Sequence, residues 1–449
     1  MQVQSGNQAR FNRLMRKSDI RNTTLYIAGF AILTFIIIHI IASRAAGKED
    51  EQEEAIAANH EGIIWSDTLS NNSSDIAATK KMDSEINQFM GRWDLKGMSL
   101  AITHNDSLVY AKGYGWADKE IGRKMEATSI MRIASASKLV TAVAIMKLIE
   151  EGKFSLDSKV FGPDGILNDS SFTNVINDPR AFDVTVDHLL RHKGGFSSVM
   201  GDPMFRTKDI MAMEKLTAPP SNEELTKIVI KRKLRFTPGV GRKYSNFGYM
   251  LLSLIIEKTT GQSYWNYVNA NVLQPAGIYN MRPATNYYAD RHPKEVKYYP
   301  PDNELVEEFN GSGKMVERVY GGSNVNGLMG AGGWTASAAD IARLVAAIDN
   351  YPVVDNILTP KSVNLLTEHD DHDKMSRGWS EADAYGKWSR TGTLSSTHTL
   401  IERFPTGECW VLITNSGVGK GHSFSRDLSR LVERLRSRYN GSLPARNLW

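Results

Sequence analysis

Two separated groups of sheet-forming residues constrain this chain more than anything else in it. Residues 98–104 and 108–113 are apolar runs on either side of Asn105-Asp106-Ser107, a turn-rich break, and predict a β-hairpin. Close to the other end, 397–404 and 409–415 are apolar and β-branched runs joined by Pro405-Thr406-Gly407, a second turn signal. A helix is predicted after them, with Phe424, Leu428, Leu431, Val432 and Leu435 on one face and arginines on the other. The middle is mostly helical. Its clearest helices are 138–151, ended by Gly152, and 247–260, ended by Gly261, with glycine where a left-handed cap is favoured. Strands at both ends and helices between them predict an α+β fold: one antiparallel sheet built from N- and C-terminal segments, flanked by helices, with a mostly helical lobe inserted.

Composition removes several other solutions. With 449 residues, 41% hydrophobic and 23% charged, the chain is not disordered along its whole length. A single cysteine, Cys409, excludes an intramolecular disulfide and a Cys-rich zinc module. Of 54 basic and 50 acidic residues, five basic (Arg10, Arg13, Arg16, Lys17, Arg21) and one acidic (Asp19) lie before residue 44, leaving 49 of each in the rest. The body therefore lacks the basic excess of a nucleic-acid binder, and no nucleic-acid partner is expected.

Residues 24–43 carry no charge and are long enough to cross a hydrocarbon core of about 30 Å at about 1.5 Å per residue. They read as a transmembrane anchor. The basic stub 1–23 before them and the acids after Lys48 predict a cytoplasmic N-terminus and an exported body, periplasmic if the source is bacterial. The alternative is a cleaved signal peptide, which the length of the apolar run and Arg44 disfavour. Residues 44–81 are rich in Ala, Asn, Ser and acid and read as a flexible linker; 82–436 read as the catalytic body and 437–449 as a tail.

Within the body, Ser135 and Lys138 stand three apart at the start of a helix, a spacing that puts both side chains on one face. A serine hydroxyl attacks only if its proton is removed. A lysine can remove it when burial and the positive end of a helix depress its pKa. Tyr-x-Asn occurs three times, at Tyr244/Asn246, Tyr264/Asn266 and Tyr267/Asn269. The last two fall in an expected helix over 263–273, whereas Tyr244 lies in a loop directly before a helix, where it is free to face a cleft. Arg390-Thr391-Gly392-Thr393 forms the third element, at the end or start of a strand, with Gly392 letting a substrate backbone approach.

Taken in order, Ser135/Lys138, Tyr244/Asn246 and Arg390/Gly392 resemble the three motifs of the serine β-lactamase and penicillin-binding-protein superfamily, most closely its class C β-lactamase-like serine hydrolases. Residues 97–118, 132–142, 184–196, 236–277 and 332–347 are similar to stretches of that family, so that the resemblance covers 82–436. It implies the β-lactamase/transpeptidase-like fold. It also implies an acyl-enzyme on Ser135, with Lys138 and Tyr244 moving protons on and off it. Asn246 would orient the substrate, and the backbone N–H groups of Ser135 and Thr393 would form an oxyanion hole; Thr391 and Gly392 complete the substrate-binding strand. The family's third motif usually begins with Lys or His, and here it is Arg390. A guanidinium grips a carboxylate bidentately, which favours a β-lactam or a D-amino-acid peptide over a neutral ester, unless the side chain points to solvent.

No cofactor is implied. The run 368–373 contains metal-ligand residue types but no defined ligand spacing; His188 and His192 stand at i, i+4, a spacing some zinc sites use, but without H-E-x-x-H, and the resemblance implies structural or cleft-lining residues there, so no metal site is predicted. G-x-G-x-x-G, P-loop and G-x-S-x-G signatures are missing from the chain. The leading expectation is a membrane-anchored serine hydrolase acting on a small-molecule or peptide substrate. An esterase on the same scaffold and a turnover-deficient sensor are the alternatives, and the oligomeric state is left open.

Overall fold

The computed structural model describes residues 65–196, 201–302, 304–369, 375–419 and 423–449. The expected stub and anchor, and residues 44–64 of the expected linker, lie outside them. Among the described residues, no helix is long and apolar enough to cross a membrane.

Twelve strands are described. They are β1 (Gly97–His104), β2 (Ser107–Asp118), β3 (Arg123–Lys124), β4 (Met131–Arg132), β5 (Arg282–Pro283), β6 (Leu305–Glu307), β7 (Met315–Glu317), β8 (Trp334–Ala336), β9 (Glu381–Ala382), β10 (Trp388–Leu394), β11 (Thr397–Phe404) and β12 (Glu408–Thr414). Asn105 and Asp106 turn β1 into β2 with φ of 47° and 61°, the left-handed pair that a two-residue hairpin turn requires and that Asn and Asp tolerate. Seven strands make the main sheet in the order β3-β2-β1-β12-β11-β10-β9. At its centre β1 runs antiparallel to β12, with Met98 opposite Thr414 and His104 opposite Glu408, so the two ends of the body meet there. The expected α+β architecture is the one observed.

Side chains alternate across the sheet, and both faces are covered. Ala101, Ile401, Val411 and Ile413 pack into the large core that includes the helices Ser137–Glu150 and Asn246–Thr260. Leu100, Ile102, Leu400, Trp410 and Leu412 face the other way, under the helices Lys80–Arg92 and Phe424–Tyr439. The latter buries Phe424, Leu428, Leu431, Val432 and Leu435, the stripe read from its sequence. Gly152 and Gly261 lie past the ends of the two central helices with φ of 69° and 70°, as their positions predicted.

The outer limits of the body differ from the expectation. Residues 65–79, assigned to the linker, form short turns whose Leu69, Ser74 and Thr79 are buried, and the Trp65 indole donates to the Gly277 carbonyl (2.7 Å). The expected tail packs as well: Leu448 N–H donates to Leu108 O (3.0 Å), and the Trp449 ring meets Trp65 edge-on at 5.0 Å. The composition of 44–81 is that of a tether, but Trp65 within it and Trp449 at the end of the tail pack against each other and against the core, which draws both segments onto the body.

Candidate active site

The helix Ser137–Glu150 is buried nearly all round, with Ser137 through Met146 inaccessible. Lys138 in its first turn is therefore wholly buried, although lysine is rarely found so. Ser135 lies one turn earlier, in the short turn Ala134–Ala136, which Ala134 enters at φ 50°. Two elements hold this turn. On one side Ile133 N–H donates to Trp334 O and Trp334 N–H donates to Ser137 Oγ, which ties it to β8. On the other side lies β10, where a Cβ on Gly392 would stand 2.4 Å from Ile133 O and 3.1 Å from Ser135 N. Only glycine allows that approach.

The second motif is delivered by a helix start. Ser245 caps the helix Asn246–Thr260 by accepting from Gly248 N–H (3.1 Å), which leaves Tyr244 just outside the helix and Asn246 as its first residue. Tyr244 Oη donates to Ser135 Oγ (2.8 Å), and Lys138 Nζ lies 3.3 Å from the same oxygen. Lys138 also donates to Asn246 Oδ1 (2.7 Å) and to the Ala331 carbonyl. A neutral amine has two N–H groups for these last two acceptors, which leaves its lone pair facing the serine.

The electrostatics follow from burial and from charges at close range. Desolvation lowers the Lys138 pKa, and Arg390 lowers it further, against raising contributions from Tyr244 and Asp202. For Tyr244, desolvation alone would raise the pKa. The charges of Lys138 and Arg390, with hydrogen bonds from Lys138 and Ser135, outweigh it and bring the phenol down to about 8. The ring is nevertheless 40% exposed, so a substrate can reach it.

The third motif sits mid-strand in β10. Thr391 N–H donates to Ser380 Oγ (3.3 Å) at the β9 edge, and alternation along the strand sends Thr393 N–H off the same edge. Thr393 itself is exposed, and its Oγ1 lies 3.3 Å from His398 Nδ1. Arg390 corrects the expectation. It neither reaches out for a carboxylate nor points to solvent: it is 1% exposed, its Nε donates to Ser135 O (2.8 Å) and its Nη2 to Tyr244 Oη (3.2 Å). β10 lies so close to the nucleophile turn that a long side chain from this position has only the Ser135–Tyr244 cluster to enter.

The fold thus brings Ser135, Lys138, Tyr244, Asn246 and Arg390 into one hydrogen-bonded group, with Gly392 packed against the nucleophile turn and Thr391 and Thr393 on the adjoining strand edge. Tyr264 and Tyr267, set aside in the sequence, are buried packing residues; Tyr264 Oη accepts from the Trp334 indole (2.9 Å). His188 accepts from Thr185 N–H in a capping box. His192 stacks on Tyr244, ring centroids 4.3 Å apart, and its Nδ1 accepts from Ser245 N–H (3.2 Å), so its proton is on Nε2. Desolvation first, then Lys138 and Arg390, hold its pKa well below the usual histidine value. The resemblance implied only a structural or cleft-lining role for His192, and sequence reasoning missed the Ala331 carbonyl and Asp202 altogether. Nothing local marks a main-chain oxygen, and a ring stack across 52 residues has no sequence signal.

The body is similar in sequence and fold to known proteins. The family model described as Beta-lactamase matches residues 82–386. The FimD protein (serogroup D) of Dichelobacter nodosus is 28% identical over 308 residues, which are 67% of this chain and 70% of that protein. Among solved structures, the D-amino acid amidase of Ochrobactrum anthropi SV3, complexed with L-phenylalanine amide, superposes with a TM-score of 0.62 at 20% identity, covering 82% of this chain and 99% of that one. The octameric penicillin-binding protein homologue of Pyrococcus abyssi does so with a TM-score of 0.57 at 23% identity, covering 79% and 77%. The two structures share the fold; the family match over most of the body carries the assignment, and this chain belongs to the β-lactamase family of serine hydrolases.

Proposed function

We propose that the protein is a membrane-anchored hydrolase whose body works outside the cytoplasm and cleaves an amide or ester carbonyl through an acyl-enzyme on Ser135. The observation that carries this reading is the shared contact of Ser135 Oγ with Tyr244 Oη at 2.8 Å and Lys138 Nζ at 3.3 Å. In the reacting form, Tyr244 as phenolate or Lys138 as free amine takes the Ser135 proton while Oγ bonds to the substrate carbonyl carbon. The carbonyl oxygen, now negative, is received by the N–H groups of Ser135 and Thr393. The same pair returns the proton to the leaving nitrogen or oxygen, the acyl bond breaks, and water then releases the acid by the reverse sequence. Asn246 spends Oδ1 on Lys138, so its Nδ2 is the end that orients substrate.

Peptidoglycan-type D-amino-acid amides and β-lactams are the substrate classes the motifs suggest. The inward guanidinium of Arg390 favours a second reading, an esterase or amidase on the same machinery. With Nε and Nη2 committed and 1% of the residue exposed, Arg390 is not available to clamp a terminal carboxylate. Membrane anchoring and export rest on the uncharged run 24–43 and the basic stub before it.

One experiment tests both parts. A membrane-impermeant fluorophosphonate is applied to intact cells carrying the full chain or its Ser135→Ala variant. Labelling of the parent alone, in the membrane fraction, is the expected result. Equal labelling of both removes Ser135 from the mechanism, and labelling only after lysis removes the export.

A further inference from the structure

The carboxylate of Asp202 uses both its oxygens to join two segments of chain. Oδ1 accepts from Met204 N–H (3.1 Å) and caps the short turn Pro203–Phe205. Oδ2 accepts from Asn246 N–H (2.7 Å), at the first residue of the helix Asn246–Thr260. The helix start is thus held at two points, by Ser245 Oγ on Gly248 N–H and by Asp202 on Asn246 N–H, and a negative charge sits where the helix dipole favours one. Asn246 in turn fixes Lys138 through Oδ1 at 2.7 Å. A continuous path of short hydrogen bonds therefore runs from Asp202 through Asn246 to the amine beside Ser135.

We propose that Asp202 is a positioning residue for catalysis: by gripping the Asn246 main chain it aims the Asn246 amide at Lys138 and so holds the amine against the Ser135 hydroxyl. The inference rests on the reading of Ser135, Lys138 and Tyr244 as the reacting groups. The charges around the path come from several elements. Arg390 on β10 is cationic, Lys138 on its helix has its pKa lowered by desolvation, His192 is neutral and stacked on Tyr244, and Asp202 is a carboxylate whose charge is felt at Lys138, opposing that lowering. Asp202 thus acts on the amine twice, through geometry and through charge.

Asp202→Ser is the informative variant, because serine is itself a good cap for the Pro203–Phe205 turn and removes only the reach to Asn246 and the charge. In the full chain we expect it to melt cooperatively, close to the parent. Its rate of fluorophosphonate acylation and its kcat should fall about 10- to 100-fold, the weight of a hydrogen bond to a charged group, with KM changed much less. The decisive readout is a double-mutant cycle with Asn246→Ala. If Asp202 works through the Asn246 side chain, Asp202→Ser adds little to a chain already lacking that amide. A purely structural role leaves the two losses additive, because the main-chain bond at residue 246 persists in Asn246→Ala, and additivity overturns the proposal. Should Asp202→Ser fail to fold, Asp202→Asn, which keeps the size and one acceptor, takes its place in the same cycle with the same two outcomes. Parent-like acylation in a folded Asp202 variant sinks the proposal but leaves the catalytic reading intact, whereas undiminished labelling of Ser135→Ala sinks the catalytic reading.

Discussion

A phenol of ordinary acidity is a weak base near neutral pH, and Tyr244 is brought to about 8 only because Lys138 and Arg390 outweigh the desolvation of its hydroxyl. The charge of Arg390 also lowers the Lys138 pKa. Removing it should therefore raise both values, so that each group holds its proton to higher pH. For Arg390→Leu the ascending limb of kcat/KM against pH is expected to move upward from the neighbourhood of 8. Arg390→Lys keeps the charge and should restore much of the original profile. Because the two groups titrate together, the limb belongs to the pair rather than to either one. An unmoved limb in Arg390→Leu would show that the guanidinium does not tune the site. The sequence made Ser135 and Lys138 legible as partners because three residues on a helix are a fixed distance. It made Tyr244 preferable to Tyr264 and Tyr267 because a loop before a helix can open to a cleft. The direction of Arg390 was not legible, since it depends on how closely β10 lies against a turn 255 residues earlier in the chain.

At the scale of elements, the site depends on the contact between β10 and the turn Ala134–Ala136. Gly392→Ala would place a methyl 2.4 Å from Ile133 O and 3.0 Å from Ala136 N, both main-chain atoms that cannot swing aside. Strand and turn must separate, at a cost of about 1–3 kcal/mol for overpacking. Thr393 N–H would then part from Ser135 N–H, the other donor to the proposed oxyanion site. A loss of one such donor corresponds to about a 10²–10³-fold fall in kcat, measurable on any ester that the parent turns over. Near-parent turnover by a folded Gly392→Ala would mean that the oxyanion is held elsewhere. The hairpins and long helices were readable because Asn105-Asp106, Gly152 and Gly261 carry local conformational demands. The two- and three-residue strands β4, β5 and β8 were not, for they are too short to show a period and pair only through contacts between segments far apart in the chain, Met131–Arg132 and Arg282–Pro283 both lying against Trp334–Ala336.

Over the whole molecule, the stability of the body should depend on a buried carboxyl pair far from the motifs in sequence. Asp106, in the β1–β2 turn and 2% exposed, is pushed up to about 7 by desolvation and by the neighbouring Asp349, whose own pKa is raised by burial while it hydrogen-bonds Arg403 at 3.1 Å. An acid with a raised pKa keeps its proton in the folded state over a range where the unfolded chain has lost it. Its contribution to stability therefore declines as pH rises from about 4 through about 7. The melting temperature should accordingly climb between pH 7.5 and pH 5.5, and Asp106→Asn should flatten that climb. A variant with the parent's slope would assign the dependence to other groups. The same long-range construction puts Ser135 on the helical side of the body and Thr393 on a strand translated long afterwards, while β1 finds its inner neighbour only when residues 408–414 exist. The proposed oxyanion site is thus complete only when the two ends of the body have met in one sheet, although the nucleophile and its proton-moving partners all lie earlier in the chain.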